Sequence, residues 1–167
     1  MDKEKKQILD SGQIRQKIKR MAYEIYEQNH TVQQIVIAGI DNMGYKLSEL
    51  IASELEKISD IRVSLVRIDI DKEATSQPQV EFSGVPELAD FTLIIVDDVL
   101  NSGRTMIHAM DPFLKMNVRK VQTAVLVNRS HKRFPIAVDY KGLELATTLQ
   151  EHIEVQLNEH DFSAYLY

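Results

Sequence analysis

The sequence contains no cysteine among its 167 residues, which excludes disulfide bonds, thiolate metal sites and cysteine nucleophiles together. It also lacks an N-terminal apolar run of the signal-peptide type. Because no bond has to be kept oxidised, we expect a cytoplasmic protein. Hydrophobic residues make up 44% and charged residues 27%, which is typical of a soluble globular chain and not of a disordered or membrane-spanning one. The length fits a single domain over residues 1–167.

Positive charge is scarce in total but unevenly distributed. Lysine and arginine number 20 against 25 aspartates and glutamates, so the formal net charge is -5. Residues 1–20 carry seven cations and three acids, residues 41–100 carry five cations and 13 acids, and residues 115–141 carry seven cations and one acid. Two basic segments therefore flank an acidic middle. Such segments are most often solvated faces, and the alternative is contact with an anionic partner.

Hydrophobic spacing predicts an α/β fold. An amphipathic helix with Asp10 and Gln13 as capping residues is expected within an N-terminal helical segment, residues 1–30. Further helices are predicted at about 47–58 and 105–115, and strands at 35–40, 63–68, 91–96, 121–127, 136–140, 153–157 and 164–167. The alternation indicates a mostly parallel, doubly wound sheet flanked by helices, with short strands near the C-terminus.

A long segment, residues 69–90, interrupts this alternation. It mixes charged residues with turn formers and shows little periodicity, so we predict mostly loop. A connection of this length inside a compact domain is usually a functional lid or a wrongly assigned element.

The most informative residues follow the most hydrophobic strand. That strand is predicted to end on Asp97-Asp98, and Ser102-Gly103-Arg104-Thr105 then opens a helix. Ligands of open α/β sheets bind at the carboxyl ends of the strands. Hydroxyls and backbone N–H groups at a helix start can bind a phosphate, and the upstream carboxylates can accept hydrogen bonds from ribose hydroxyls. We therefore predict a ribose 5-phosphate site; the alternative is that these residues only cap a turn and a helix.

This segment also resembles a known family. Val96–Thr105 is similar to the diphosphate-ribose signature of type I phosphoribosyltransferases, which bind phosphoribosyl pyrophosphate (PRPP). Leu126–Ile136 and Asp139–Gly142 resemble the pyrimidine operon attenuator/uracil phosphoribosyltransferase group, as do Ile8–Asp10 and Glu27–Asn29 near the start. The resemblance spans nearly the whole chain and implies the single-domain type I phosphoribosyltransferase fold.

The resemblance implies a reaction and its ligands. Phosphoribose would pass from PRPP to a nucleobase, with uracil or a related pyrimidine as the expected base, and pyrophosphate would be released. Magnesium is implied as an ion bound together with PRPP, and the sequence predicts no metal cage built by the protein alone. A nucleoside monophosphate is an implied ligand, a homodimer is the implied assembly, and residues 69–90 would form a flexible lid over the reacting centre.

The resemblance also implies roles for individual residues. Asp97 and Asp98 would bind the ribose hydroxyls, directly or through metal-bound water. The phosphate would be held by Asn101, Ser102, Gly103, Arg104 and Thr105. Asn128 and Arg129 are implied to lie near the base. Purine-specific relatives have an aspartate where Asn101 stands, and since asparagine cannot act as a general base, a 6-oxopurine substrate is disfavoured.

The turn after the first core strand departs from the resembled group. That group has a Lys-Thr-Arg-Gly character there and uses it to bind pyrophosphate, whereas this sequence has Asp41-Asn42-Met43-Gly44. Gly44 keeps the turn feasible, but Asp41 and Met43 replace two cations. A carboxylate beside pyrophosphate is unfavourable unless magnesium bridges the two. This departure motivates a second hypothesis, a nucleotide-binding regulator of the same fold with weak or no catalysis. A generic flavodoxin-like module is a third, which requires a coincidental match.

RNA is a further partner to consider. In attenuator relatives the first helix contributes to RNA binding, and Arg15, Lys17, Lys19 and Arg20 could do the same here. The segment Arg129–Arg133 has three interpretations: part of the base and phosphate site, an RNA-facing or subunit surface, or an exposed loop. The net charge of -5 weighs against RNA, because nucleic-acid binders rely on an extended basic surface.

Overall fold

The computed structural model describes residues 4–71, 81–83 and 90–167. In chain order the elements are β1 (Lys6–Leu9), α1 (Ser11–Asn29), β2 (Gln34–Ile40), α2 (Asp41–Ile58), β3 (Arg62–Asp69), β4 (Glu81–Ser83), β5 (Phe91–Leu100), α3 (Arg104–Leu114), β6 (Val118–Asn128), β7 (Tyr140–Glu144), β8 (Ile153–Leu157) and β9 (Phe162–Leu166). The predicted capping box of α1 is present, with the Asp10 carboxylate accepting from the Gln13 amide at 2.8 Å.

The central sheet has the strand order β4-β3-β2-β5-β6-β7. Strands β3, β2, β5, β6 and β7 run parallel, and β4 pairs antiparallel with β3 at one edge. The predicted mostly parallel sheet is confirmed. β2 and β5 read as continuous apolar runs because helices cover both faces of the sheet.

The two faces of the sheet build two hydrophobic cores. Ile35 and Ile37 of β2 join a cluster with residues of α1 and α2, whereas Val36 and Ala38 of the same strand join a cluster with α3. This alternation is the period of two expected for a strand. The sheet is therefore held from both sides, and the carboxyl ends of its strands meet along one edge.

A second, antiparallel sheet has the order β1-β9-β8. Its strand β1 lies at the start of the predicted N-terminal helical segment, residues 1–30, and precedes the helix: Lys6 pairs with Leu166 and Gln7 with Tyr165. The strand has only four residues, and its partner is distant in sequence, so local periodicity does not reveal it. The predicted short strands near the C-terminus are confirmed in β8 and β9.

Several predicted boundaries are wrong in an informative way. β5 continues through the acidic pair to Leu100, because Asp97 and Leu100 pair with Val125 and Asn128 of β6. The predicted turn at 41–44 is the first turn of α2. The strand predicted at 136–140 begins instead at Tyr140.

The segment predicted as a lid, residues 69–90, lies only partly within the described residues. β3 ends at Asp69, and residues 81–83 form the short strand β4. Residues 72–80 and 84–89 lie outside the described residues, so the lid stays a prediction. None of the helices in the described ranges combines the length and apolarity that a membrane span requires.

Candidate functional site

The candidate site lies where β5 leads into α3. A cavity of about 50 Å³ runs along this connection. Its lining consists of one acid of the pair and the connection itself: Asp97, Val99, Leu100, Asn101, Ser102, Gly103, Arg104, Thr105 and Met106. Asp97 is buried and Asp98 is half-buried beside it. The structure thus brings Asp97 and the predicted phosphate residues together at the carboxyl end of the central strand, whereas Asp98 is not part of the cavity lining.

Gly103 shapes the connection. Its φ of 89° lies in the left-handed region, which residues with a Cβ rarely adopt. A Cβ at this position would also stand 3.3 Å from the Cγ1 atom of Ile136. The Gly103 carbonyl accepts from the Ile107 amide at 3.0 Å, so α3 begins directly after the turn. The positive N-terminal end of α3 therefore faces the cavity, as an anion site requires.

Both the side chain and the backbone carbonyl of Ser102 accept hydrogen bonds. Its Oγ accepts a hydrogen bond from the backbone amide of Arg104 at 3.3 Å, although the N-cap residue of α3 is Gly103, which makes no side-chain capping bond. The Ser102 carbonyl accepts from the amides of Arg133 and Phe134 at 2.8 and 3.2 Å. The connection is therefore held by the segment that follows β6.

The turn at residues 41–44 lies against the acidic pair. A Cβ at Gly44 would meet the Val96 carbonyl oxygen at 2.7 Å and the Asp97 Cα at 3.3 Å, so only glycine fits this approach. Met43 is half-buried and packs against the core formed with α1 and α2. Asp41 has a positive φ of 53°. Of the four residues, Asn42 is the exposed one.

Both polar side chains of this turn contact the end of β3. One carboxylate oxygen of Asp41, Oδ1, accepts from the Ile70 amide at 3.0 Å. Asn42 Oδ1 accepts from Nη2 of Arg67 at 2.6 Å, and Nε of Arg67 donates to Asp69 at 3.0 Å. Sequence reasoning missed Arg67. Its only signal in the sequence was an arginine near the end of the strand predicted at 63–68.

Arg129, predicted to lie near the base, is buried at 8% exposure. Its Nη1 donates to Asn101 Oδ1 at 2.7 Å, and its Nε donates to Thr147 Oγ1 at 2.9 Å. Its Nη2 donates to the carbonyls of Thr148 and Glu151 at 3.1 and 2.6 Å. These contacts tie the β5–α3 connection to residues 147–151.

The residues beside Arg129 in the basic segment differ in burial and in their contacts. Asn128 is buried, and its Oδ1 accepts from the Ser130 amide at 3.1 Å. Nε2 of His131 contacts the Thr147 carbonyl, whereas Lys132 and Arg133 are exposed. Hydrogen bonds from Lys141 and Ser130 lower the pKa of Glu144, which keeps this acid charged beside the basic residues. The first part of the segment is thus held by contacts within the protein, whereas its last two residues are exposed.

The donors at this edge fit a magnesium ion that arrives with phosphates. Mg²⁺ prefers oxygen ligands and is commonly held by one or two carboxylates together with substrate phosphates. Asp97 and Asp98 provide such oxygens. In the part of the chain that the structure describes, no group of three or more His, Cys, Asp or Glu residues could hold a metal by itself. The two carboxylates of Asp97 and Asp98 suit an ion that is bound together with substrate phosphates.

Sequence comparison matches most of the chain. The profile of the phosphoribosyl transferase domain family matches residues 4–160. The bifunctional protein pyrR of Enterococcus faecalis is 35% identical over 164 residues, covering 94% of this chain and 92% of that protein. The bifunctional protein PyrR of Bacillus pumilus is 37% identical over 164 residues, covering 92% and 91%.

Solved structures show the same fold. The hypoxanthine phosphoribosyltransferase of Trypanosoma cruzi superimposes with a TM-score of 0.73 at 16% identity, covering 84% of this chain and 81% of that one. A structure from an analysis of an invariant aspartic acid in HPRTs, a glutamine mutant, gives a TM-score of 0.70 at 17% identity, with 83% and 81% covered. At these identities the likeness concerns the fold alone.

Proposed function

The chain belongs to the phosphoribosyl transferase domain family, a class of pentosyltransferases, and from that premise we propose that it transfers phosphoribose from PRPP to uracil or a related pyrimidine. In this reaction a base nitrogen bonds to the anomeric carbon while the bond from that carbon to the pyrophosphate oxygen breaks. Pyrophosphate leaves with the bonding electrons, and the proton of the base nitrogen passes to the departing pyrophosphate or to water. The observation that carries the proposal is the cavity lined by Asp97 and residues 101–105.

Each part of this site has a task in the reaction. Asp97 and Asp98 would accept hydrogen bonds from the two ribose hydroxyls and would hold the magnesium ion. The backbone amides and hydroxyls at Ser102 and Thr105 would bind the 5-phosphate at the start of α3. When bound, magnesium supplies neutralisation of the leaving pyrophosphate. The protein positions the sugar and stabilises the charge that develops on it, without a covalent intermediate.

Two further features support a pyrimidine base. Asn101 stands where purine-specific relatives of the resembled group have an acid, and Arg129 holds its side-chain oxygen at 2.7 Å. An amide in this position cannot take a proton from the base. The relatives at 35% and 37% identity bear the name bifunctional protein PyrR, which agrees with the resemblance to the pyrimidine attenuator group.

A direct assay tests this proposal. Purified protein is incubated with uracil, PRPP and magnesium, and UMP is quantified by chromatography. We expect UMP from the wild type, none above background from Asp98→Asn, and an unchanged rate from Asp111→Asn, an exposed acid on α3. Absence of turnover across a panel of pyrimidine and purine bases would contradict the enzymatic proposal.

A nucleotide-binding regulator is the second candidate. The turn at residues 41–44, which contains an acid and no lysine or arginine, favours it. Its signature is binding of UMP or PRPP without turnover. A nucleotide at a hundred times its dissociation constant should stabilise the fold by about 2.7 kcal/mol, which a thermal-shift assay detects. If no nucleotide stabilises the protein, this candidate fails.

RNA would be the expected partner of such a regulator. On α1, Nη2 of Arg20 donates to the Gly142 carbonyl at 2.8 Å, and Arg15 stacks 4.1 Å from the Phe162 ring. These two arginines therefore also serve the fold. Neutralising Lys17 and Lys19 is the cleaner test: a loss of RNA affinity with an unchanged melting temperature would identify α1 as the RNA-binding surface.

A further inference from the structure

If the proposed function is correct, negative charges of the ligand and of the protein would repel each other at the turn formed by residues 41–44. The pyrophosphate group of PRPP would bring several negative charges to this turn. The turn itself contributes Asp41, and Asp69, Asp97 and Asp98 stand at the carboxyl ends of the neighbouring strands β3 and β5. Magnesium offsets part of this repulsion, and a protein cation would offset more.

Arg67 reaches the turn from the neighbouring strand. It pairs with Gly39 in the parallel ladder, two residues before the turn begins. Its Nη2 donates to Asn42 Oδ1 at 2.6 Å and its Nε to Asp69 at 3.0 Å. A guanidinium has five N–H donors, of which these two contacts use two. The side chain is 39% exposed, so it is accessible to a ligand in solution.

The surroundings of Arg67 orient it without neutralising it fully. Asn42 is uncharged, and the Asp69 carboxylate is 59% exposed, so this ion pair is screened by water. Asp41 directs Oδ1 at the Ile70 amide, which satisfies that oxygen within the protein. The guanidinium is also the side-chain group that best matches the geometry of phosphate oxygens.

We propose that Arg67 is a binding residue for the pyrophosphate group of PRPP, supplying from β3 the cation that the turn lacks. Asn42 positions the guanidinium over the turn. This inference rests on the proposed function, because it assumes that PRPP occupies the site next to Asp97. It assigns the pyrophosphate contact to a strand residue instead of to a turn residue.

Calorimetry with three ligands tests the proposal. The wild type, Arg67→Gln and Arg62→Gln are titrated with PRPP, inorganic pyrophosphate and UMP, each with magnesium. Arg62 is the matched control, an exposed arginine at the opposite end of the same strand. We expect Arg67→Gln to weaken PRPP and pyrophosphate binding roughly 10- to 100-fold, the effect of losing a charged hydrogen bond, with UMP affinity and melting temperature unchanged. Arg62→Gln should bind all three ligands as the wild type does.

A rescue variant separates charge from structure. Asn42→Arg, introduced into Arg67→Gln, returns a cation to the exposed position of the turn and should recover most of the lost PRPP affinity. If Arg67→Gln binds PRPP and UMP like the wild type, or weakens both equally, the inference is wrong while the phosphoribosyl site stands. If the wild type binds neither PRPP nor UMP, the proposed function and this inference fall together.

Discussion

Two asparagine–arginine contacts stand at the carboxyl edge of the sheet, and they differ in their surroundings. Arg67 of β3 donates to Asn42 at 2.6 Å, and Arg129, which follows β6, donates to Asn101 at 2.7 Å. In both cases an arginine in a neighbouring strand or directly after it donates to the amide side chain of a residue at the candidate site. Arg67 is 39% exposed as a side chain, whereas Arg129 is buried and also holds residues 147–151.

The difference shows that burial decides what such a contact does. A buried guanidinium is tolerated only when protein acceptors satisfy its donors, so Arg129 acts as a clamp. A partly exposed guanidinium contributes less to folding and stays accessible to a ligand, so Arg67, whose side chain is 39% exposed, is suited to bind an anion. The same pair of residue types therefore serves structure at one end of the edge and binding at the other.

We expect the largest effect on stability from substitution of Arg129, the clamp. Arg129→Met should lower the free energy of unfolding by about 3 kcal/mol, because the amide oxygen of Asn101 and the carbonyls of Thr148 and Glu151 lose a shared donor. Urea unfolding followed by circular dichroism measures it. Arg67→Met, the matched control, should cost less than about 0.5 kcal/mol. Equal losses from the two variants would erase the distinction between them.

We expect a substitution in the acidic pair to weaken the binding of both UMP and PRPP, whereas a substitution of Arg67 beside the turn should weaken PRPP binding only. Asp98→Asn should weaken both UMP and PRPP by about 1.5–3 kcal/mol, the contribution of a hydrogen bond to a charged group. Arg67→Gln should weaken PRPP alone. Calorimetry on both variants, with Asp111→Asn as control, separates the ribose from the pyrophosphate contact. Unchanged UMP affinity in Asp98→Asn would show that the ribose site lies elsewhere.

Replacing Arg67 or Arg129 by lysine should have effects of intermediate size on binding and on stability, respectively. Arg67→Lys keeps the charge and loses the planar fork, so PRPP binding should weaken by only about 0.5–1 kcal/mol. Arg129→Lys cannot reach several acceptors at once and should destabilise the fold by about 1–2 kcal/mol. Binding and unfolding measurements on both proteins suffice. A stable Arg129→Lys variant would mean that its charge, and not its geometry, holds the connection.

Salt should produce the smallest effect. Raising the sodium chloride concentration from about 50 to 500 mM should reduce the PRPP affinity of the wild type roughly twofold more than that of Arg67→Gln, because an exposed charge is screened. The unfolding difference between Arg129→Met and the wild type should not respond to the same change. A salt-independent contribution from Arg67 would place it out of contact with solvent and argue against ligand binding.

Sequence reasoning identified those residues of the candidate site that are contiguous in the chain. Residues 97–105 combine two acids near the end of one apolar strand with a glycine of positive φ and the hydroxyls that open the next helix. The parallel sheet could be predicted for the same reason, because buried strands read as apolar runs. The exact end of β5 could not, since its last residues are held in the strand by pairing with β6.

The sequence alone determined which residue types follow each strand, and therefore that an acidic pair with Ser102-Gly103-Arg104-Thr105 and a turn without lysine or arginine both occur. Only the tertiary structure decided what compensates for that turn. Arg67 is separated from Asn42 by 25 positions, and Arg129 from Asn101 by 28, so the register of the parallel ladder brings each pair together. Local propensity says nothing about such contacts, because they depend on which strands become neighbours and on how much water reaches them.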